Sequence, residues 1–161
     1  MTAQQPTPET LPTPDAASLK LSSQLCFVTY SAAHAFTRVY RQLFDPLGLT
    51  YPQYLVLLVL WEQDGLTVKE VGQKLFLDSG TLTPLLKRLQ AAGIVERTRD
   101  PDDERQVRIT LTIKGRALKG PVAAARGEVA SATGLPLGEA DTLRDQINRL
   151  RECLSAASDE S

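Results

Sequence analysis

The spacing of apolar residues leaves the helical period at one place in this chain, and that departure limits the folds open to it. As far as Leu89, apolar residues recur at steps of three and four, the repeat of helices with one buried face. In residues 106–111 Val107, Ile109 and Leu111 instead alternate with Arg108 and Thr110, the repeat of a half-buried strand. Residues 94–99 are rich in strand formers and can pair with it, with Pro101-Asp102-Asp103-Glu104 as the loop between. The chain therefore reads as mainly α with a small β-hairpin late in its order.

The helical part divides at its breakers. A long helix is predicted over about 18–45, with Leu21, Leu25, Val28, Ala32, Ala35, Val39 and Leu43 on one stripe and Pro46 and Gly48 as its stop. Tyr51-Pro52 opens a second helix through Trp61, apolar nearly all round and so expected at the centre of the core. Asp64-Gly65 is a turn, and Thr67 can cap a short helix over 68–75. After Asp78-Ser79-Gly80 comes a helix over about 81–92. Leu82, Leu85, Leu86 and Leu89 face inward there, Thr81, Thr83, Lys87, Arg88 and Gln90 face outward, and Gly93 ends it. Beyond the hairpin, Thr112 caps a further helix that continues, or breaks near Pro121, toward Thr133. A last helix over about 137–156 carries Leu143, Ile147, Leu150 and Leu154 at three-four spacing. Residues 1–17, with Pro6, Pro8, Pro12 and Pro14, have too little apolar surface to pack and read as a disordered tail.

Helix, short helix, turn, polar-faced helix and β-hairpin, in that order, make a winged helix-turn-helix. The short helix braces the polar-faced helix, which can enter a major groove, and the hairpin can reach the adjacent backbone or minor groove. Charge agrees. The whole chain carries a net charge of -1, yet residues 65–119 hold 11 Lys/Arg against 7 Asp/Glu. The positive excess lies where phosphates would be met, so double-stranded operator DNA is the expected partner. The apolar stripes of the first and last helices are more than one small core can cover, and two copies packing together would cover them. The expected organisation is a helical dimerisation region of residues 18–48 and 113–161 around a DNA-binding region of residues 49–112, in a homodimer. A single histidine, His34, and two cysteines, Cys26 and Cys153, cannot build a Cys/His zinc site or a disulfide scaffold, so no metal and no cofactor is expected. No basic segment followed by an apolar run opens the chain, and the longest apolar run, 55–61, is too short for a bilayer. A cytoplasmic protein that is not an enzyme and has no membrane partner is the expectation, with its cysteines normally reduced.

The stretch Asp102-Asp103-Glu104-Arg105-Gln106-Val107-Arg108-Ile109-Thr110-Leu111-Thr112 resembles the wing signature of the MarR family of repressors, and the resemblance covers about residues 20–155. It implies a homodimer in which Arg105 enters a minor groove and Asp103 holds it in place. A narrow minor groove concentrates negative potential and favours an inserted guanidinium. Ser79, Gly80, Thr81 and Thr83 are the groove-facing candidates, with Lys87 and Arg88 as candidate phosphate contacts.

Three segments narrow the resemblance. Ser22-Ser23-Gln24-Leu25-Cys26-Phe27, Leu49-Thr50-Tyr51-Pro52-Gln53-Tyr54 and Leu77-Asp78-Ser79-Gly80-Thr81-Leu82-Thr83-Pro84-Leu85-Leu86-Lys87 look like segments of OhrR, the organic-hydroperoxide-sensing branch. That likeness implies that Cys26 is the peroxide-reactive thiol, hydrogen-bonded by Tyr40 and Tyr51 of the partner subunit, with Tyr30 alongside. Spacing is compatible. Tyr30 is one turn from Cys26, whereas Tyr40 lies roughly 21 Å along the same helix, so the two could meet only across a dimer. Hydroxyl donors aimed at sulfur favour the thiolate, the nucleophile toward peroxide. Two-cysteine members of the branch carry a resolving cysteine in the helix before the last, but residues 128–133 have none. The preferred scheme therefore traps oxidised Cys26 with a low-molecular-weight thiol or over-oxidises it. A disulfide to Cys153 of the other subunit is the alternative.

Two rival readings use the same residues. In one, a small aromatic ligand releases the repressor and Cys26 is an inert, small apolar residue. In the other, the chain is a thiol peroxidase, which would leave the winged-helix pattern without a purpose. Multiple turnovers of peroxide without specific DNA binding would mark that enzyme.

Overall fold

The computed structural model describes residues 19–101 and 103–159. The proposed tail and Asp102 lie outside the described residues. The first helix, α1, is Leu25–Phe44, shorter at its start than the apolar stripe suggests. Leu21–Ser23 form a single 3-10 turn, and Gln24 is extended (φ -87°, ψ 115°), which separates that turn from the helix. A second 3-10 turn, Asp45–Leu47, with Pro46 inside it and left-handed Gly48 behind it, ends the run.

The chain forms two compact units, one ending at Arg38 and the other starting at Val39. In the first unit the described part is the 3-10 turn and most of α1. Leu25, Val28, Tyr30 and Phe36 are exposed along it. The second unit holds the rest. Its centre is α2, Tyr51–Glu62, where Val56, Leu57 and Leu60 are fully buried as the unbroken apolar pattern requires. The Thr50 N–H donates to Gln53 Oε1 at 2.8 Å, which satisfies that buried amide and fixes the helix start.

Thr67 caps α3, Val68–Leu75, and exchanges hydrogen bonds with Glu70 in a full capping box. Helix α4, Ser79–Ala91, starts two residues before the predicted position. Asp78 is its cap and takes the Thr81 N–H at 2.9 Å, so Thr81 sits inside the first turn. Leu82, Leu86 and Leu89 are fully buried, and Gly93 is left-handed (φ 69°).

The hairpin is β2, Val95–Arg99, and β3, Val107–Leu111. A two-residue strand that periodicity could not reveal, β1, Leu66–Thr67, joins the other edge of β3. The sheet is antiparallel in the order β1-β3-β2, with Leu66 opposite Ile109 and Arg97 opposite Ile109 on the other side. Asp100, almost wholly buried, meets Arg108 Nε at 2.7 Å, and Arg108 also donates to the Gly65 carbonyl at 2.9 Å. This pair ties the base of the wing to the turn before α3.

Thr112 caps α5, Ile113–Ala117, as expected. The break then falls at Leu118 and not near Pro121, because Pro121 sits in the first turn of α6, Lys119–Ala132, where an N–H has no helical partner anyway. The last helix, α7, is Leu137–Asp159, three residues longer than predicted, with Leu143, Ile147 and Leu154 exposed. Among the described residues no single helix is long and apolar enough to cross a membrane.

Candidate nucleic-acid interface and sensing cysteine

The start of α4 and the wing line one cleft. Gln73, Ser79, Thr83, Arg97, Arg105 and Gln106 all border it. Ser79, Thr83 and Arg105, far apart in sequence, are thus brought together, with Ser79 and Arg105 exposed and Thr83 half-buried. Gly80, Lys87 and Arg88 are exposed on the same helix, and Lys87 and Arg88 lie outside the cleft lining. Arg97, one of the 11 basic residues of the 65–119 segment, has a buried Nε with no hydrogen-bond partner.

Two predicted contacts take a different form. The Thr81 hydroxyl donates to Asp78 Oδ2 at 2.8 Å, so this side chain is engaged in capping its own helix. Asp103 does hold the wing tip, but through the Arg105 backbone N–H at 3.1 Å and the Gln106 side-chain amide at 3.1 Å. The Gln106 N–H also closes on the Asp103 carbonyl at 2.8 Å. The acid therefore shapes the turn from which Arg105 projects.

Three carboxylates in this region have pKa values below their ordinary range, chiefly through hydrogen-bond donation to the charged form, with the Arg108 charge adding a smaller lowering at Glu70. Asp78 is lowered by the Thr81 N–H and then its hydroxyl, Glu70 by the Thr67 N–H and then its hydroxyl, and Asp103 by the Gln106 amide and then the Arg105 N–H. A depressed folded-state pKa contributes stability above the unfolded value and loses it as pH falls through the folded one. Acidification below the ordinary carboxylate range is thus expected to loosen the starts of α3 and α4 and the wing tip. Amide hydrogen exchange at Glu70, Thr81 and Arg105 should rise there before the Val56–Leu60 core opens. Simultaneous opening of all of them would contradict this.

Cys26 lies in the first turn of α1, and its thiol is free and exposed, as is that of Cys153 on α7. Tyr30, one turn on, is exposed and packs edge-to-face on His34, with ring centroids 4.3 Å apart. Tyr40 and Tyr51 belong to the second unit, both half-buried, and their rings stack at 4.7 Å. Burial first, and the charge of nearby Tyr54 second, push the Tyr51 pKa up.

Residues 38–121 match the family described as Transcriptional regulator SarA/Rot. That match spans more than half of the chain. The chain belongs to this family of regulators.

This regulator is 60% identical over 136 residues to the HTH-type transcriptional regulator TtmR of Methylorubrum extorquens (strain PA1), covering 84% of this chain and 70% of that protein. It is 52% identical over 101 residues to the Organic hydroperoxide resistance transcriptional regulator of Bacillus subtilis (strain 168), covering 63% of this chain and 69% of that one. Among solved structures, reduced AbfR bound to DNA superposes with a TM-score of 0.75 at 37% identity, over 88% of this chain and 96% of that one. AbfR, a protein of Staphylococcus epidermidis, has also been solved overoxidised on DNA (TM-score 0.70, 36% identity, 85% and 97% covered) and as a disulfide form (0.57, 38%, 87% and 93%). The MarR-like winged helix-turn-helix fold and the likeness to the organic-hydroperoxide branch, both read from sequence, hold.

Sequence reasoning about the regulator overlooked Tyr54, which joins Tyr40, Tyr51 and Phe44 in one aromatic cluster. Any aromatic residue on an all-apolar helix reads as core, so only its place three residues after Tyr51, on the same helical face, hinted at more.

Proposed function

We propose that the chain is a redox-sensing transcriptional repressor that binds inverted-repeat operator DNA as a homodimer and is released when Cys26 is oxidised by an organic hydroperoxide. The observation that carries this reading is the stack of Tyr40 on Tyr51 at 4.7 Å. These are the two residues that the OhrR resemblance assigns to the thiol. They lie on different helices, yet they form one half-buried pair of phenols. In the dimer, that pair faces Cys26 of the partner subunit. Residues 18–48 and 113–161 form the dimerisation region, and residues 49–112 read DNA. The exposed apolar side chains of α7, Leu143, Ile147 and Leu154, support a partner surface there.

The chemistry is a two-electron transfer. The Cys26 thiolate attacks the terminal peroxide oxygen, the S–O bond forms as the O–O bond breaks, and the alkoxide leaves and takes a proton from water to become the alcohol. Sulfur is left as a sulfenic acid. A low-molecular-weight thiol then condenses with it, releasing water, or further peroxide over-oxidises it; condensation with Cys153 of the other subunit is the alternative. Oxidation removes the phenol hydrogen bonds to the thiolate and favours a second arrangement of the dimer helices. In that arrangement the two reading heads no longer match the half-site spacing.

Intact-mass measurement after one equivalent of cumene hydroperoxide, with and without a small thiol, tests the scheme alongside operator binding. A gain of one oxygen or a thiol adduct that tracks release is expected. Release with no mass change would reject the reading in favour of a ligand-gated repressor.

In the DNA-bound state Arg105 inserts its guanidinium into the minor groove from the turn that Asp103 shapes. Arg97 and Lys87 meet phosphates. Arg105→Ala is expected to weaken operator binding about tenfold and reduce the salt slope by about one. Thermal unfolding should not move, because Asp103 meets the backbone of Arg105, which alanine keeps. Fluorescence anisotropy across a salt series measures both quantities.

A further inference from the structure

Tyr54 is 3% exposed, and its ring is 4.8 Å from Phe44, 5.2 Å from Tyr40 and 6.2 Å from Tyr51. Phe44 is fully buried and packs 5.2 Å from Tyr40. The cluster thus has two buried rings, Phe44 and Tyr54, and two half-buried phenols. Tyr54 touches all three of the others, and it is the one member of the buried pair that also packs against Tyr51.

We propose that Tyr54 is a positioning residue of the sensor: its ring, set against Tyr40, Tyr51 and Phe44, fixes the direction in which the Tyr40 and Tyr51 phenols present their hydroxyls. The proposal rests on the sensor reading above, in which those two hydroxyls meet the Cys26 thiol of the partner subunit. The phenol oxygen lies on the Cβ–Cγ axis, so χ1 alone places it, while χ2 sets the ring plane in which its O–H prefers to point; the donor stays aimed at a third body only when rotation of the ring is held. The flat face of Tyr54, 30° from the plane of Tyr40, restricts that rotation. Leucine or methionine would fill part of the volume without offering a face. Phenylalanine would keep the face and lose only the hydroxyl. The ring is thus the active part, and the effect passes through Tyr40 and Tyr51.

The test uses full-length dimer in a Cys153→Ser background, so that Cys26 is the single thiol followed. Tyr54→Leu and Tyr54→Met are compared with Tyr54→Phe. Three quantities are read: the rate of Cys26 oxidation by cumene hydroperoxide, the pH profile of Cys26 alkylation by iodoacetamide, and operator affinity of the reduced protein. Loss of the ring is expected to slow oxidation by up to about a hundredfold, the scale on which a misplacement of about 1 Å acts. The alkylation profile should move to higher pH, because fewer donors favour the thiolate. Reduced operator affinity should be unchanged, and Tyr54→Phe should restore the rate and the profile. A wild-type rate and profile in Tyr54→Leu or Tyr54→Met, a parallel loss of operator affinity, or a Tyr54→Phe as slow as the aliphatic variants would overturn the proposal. So would failure of both aliphatic variants to form a dimer, which would make the ring scaffold alone. The parent sensor reading fails separately, through a Cys26 that gains no oxygen in the protein with Tyr54 intact.

Discussion

Cys26→Ser is expected to bind operator as tightly as the parent protein and to remain bound at cumene hydroperoxide concentrations that release the parent completely. The physical case has two halves. Serine keeps the shape of cysteine but offers no polarizable thiolate, so it cannot displace the peroxide oxygen. Cys26 is exposed in the single chain, and in the proposed dimer a serine hydroxyl can still accept the Tyr40 and Tyr51 hydrogen bonds, so the exchange should alter stability by no more than about 1 kcal/mol. Its carbonyl, which accepts the Thr29 hydroxyl at 2.9 Å, is untouched. Loss of response without loss of binding therefore isolates the chemical step. Operator binding measured before and after a hydroperoxide titration decides it, and a mutant that releases DNA at the parent's midpoint would end the proposal. Cys153→Ser sorts the fate of the oxidised sulfur. In the thiol-trapping scheme it responds like the parent. In the disulfide scheme it forms no linked dimer on a non-reducing gel.

The same separation shows what the sequence could reveal. Helices whose ends carry a chemical signal were legible: Thr67 and Thr112 cap where they stand, and Gly93 is left-handed where a helix must stop. Elements fixed by competition between neighbours were not. Asp78 and Thr81 can each cap a helix, and the carboxylate wins the Thr81 N–H, so α4 begins two residues early and the Thr81 hydroxyl is committed to Asp78. Strand β1 is two residues long and exists only because β3 lies beside it. Leu118 breaks the helix in place of Pro121 because a proline in a first turn costs little. For the site, Ser79, Thr83 and Arg105 were legible as residue types, whereas Arg97 and Tyr54 depend on what packs against them. An aromatic cluster built from α1 and α2 has no periodicity of its own.

Gly115→Ala is expected to cost about 3 kcal/mol of stability, the upper range for forcing extra volume into packed structure. Gly115 sits in α5, where the wing strand β3 turns back into the C-terminal helices, and it is buried. A Cβ there would overlap the carbonyl oxygen of Ile94 and stand 3.1 Å from Leu111 Cδ2. The main obstacle is backbone, which cannot rotate aside. Relief requires α5 to move away from the segment leading into β2, and three sets of hydrogen bonds oppose that movement. The Thr112 N–H donates to the Ile94 carbonyl at 3.1 Å, and the Thr112 hydroxyl donates to the Gly93 and Ile94 carbonyls while accepting the Gly115 N–H at 3.0 Å. From the other side, Trp61 Nε1 on α2 donates to the Gly115 carbonyl at 3.1 Å. Displacing α5 strains all of these together. Gly120→Ala is the matched control, because nothing lies within 4 Å of a Cβ at that position and alanine favours a helix. It should be neutral or slightly stabilising. Urea unfolding of both variants at one fixed protein concentration compares the two, so that any self-association contributes equally. If Gly115→Ala unfolds with the same midpoint as Gly120→Ala, the packing of α5 on the hairpin is looser than these contacts require, and the wing is not held by that junction.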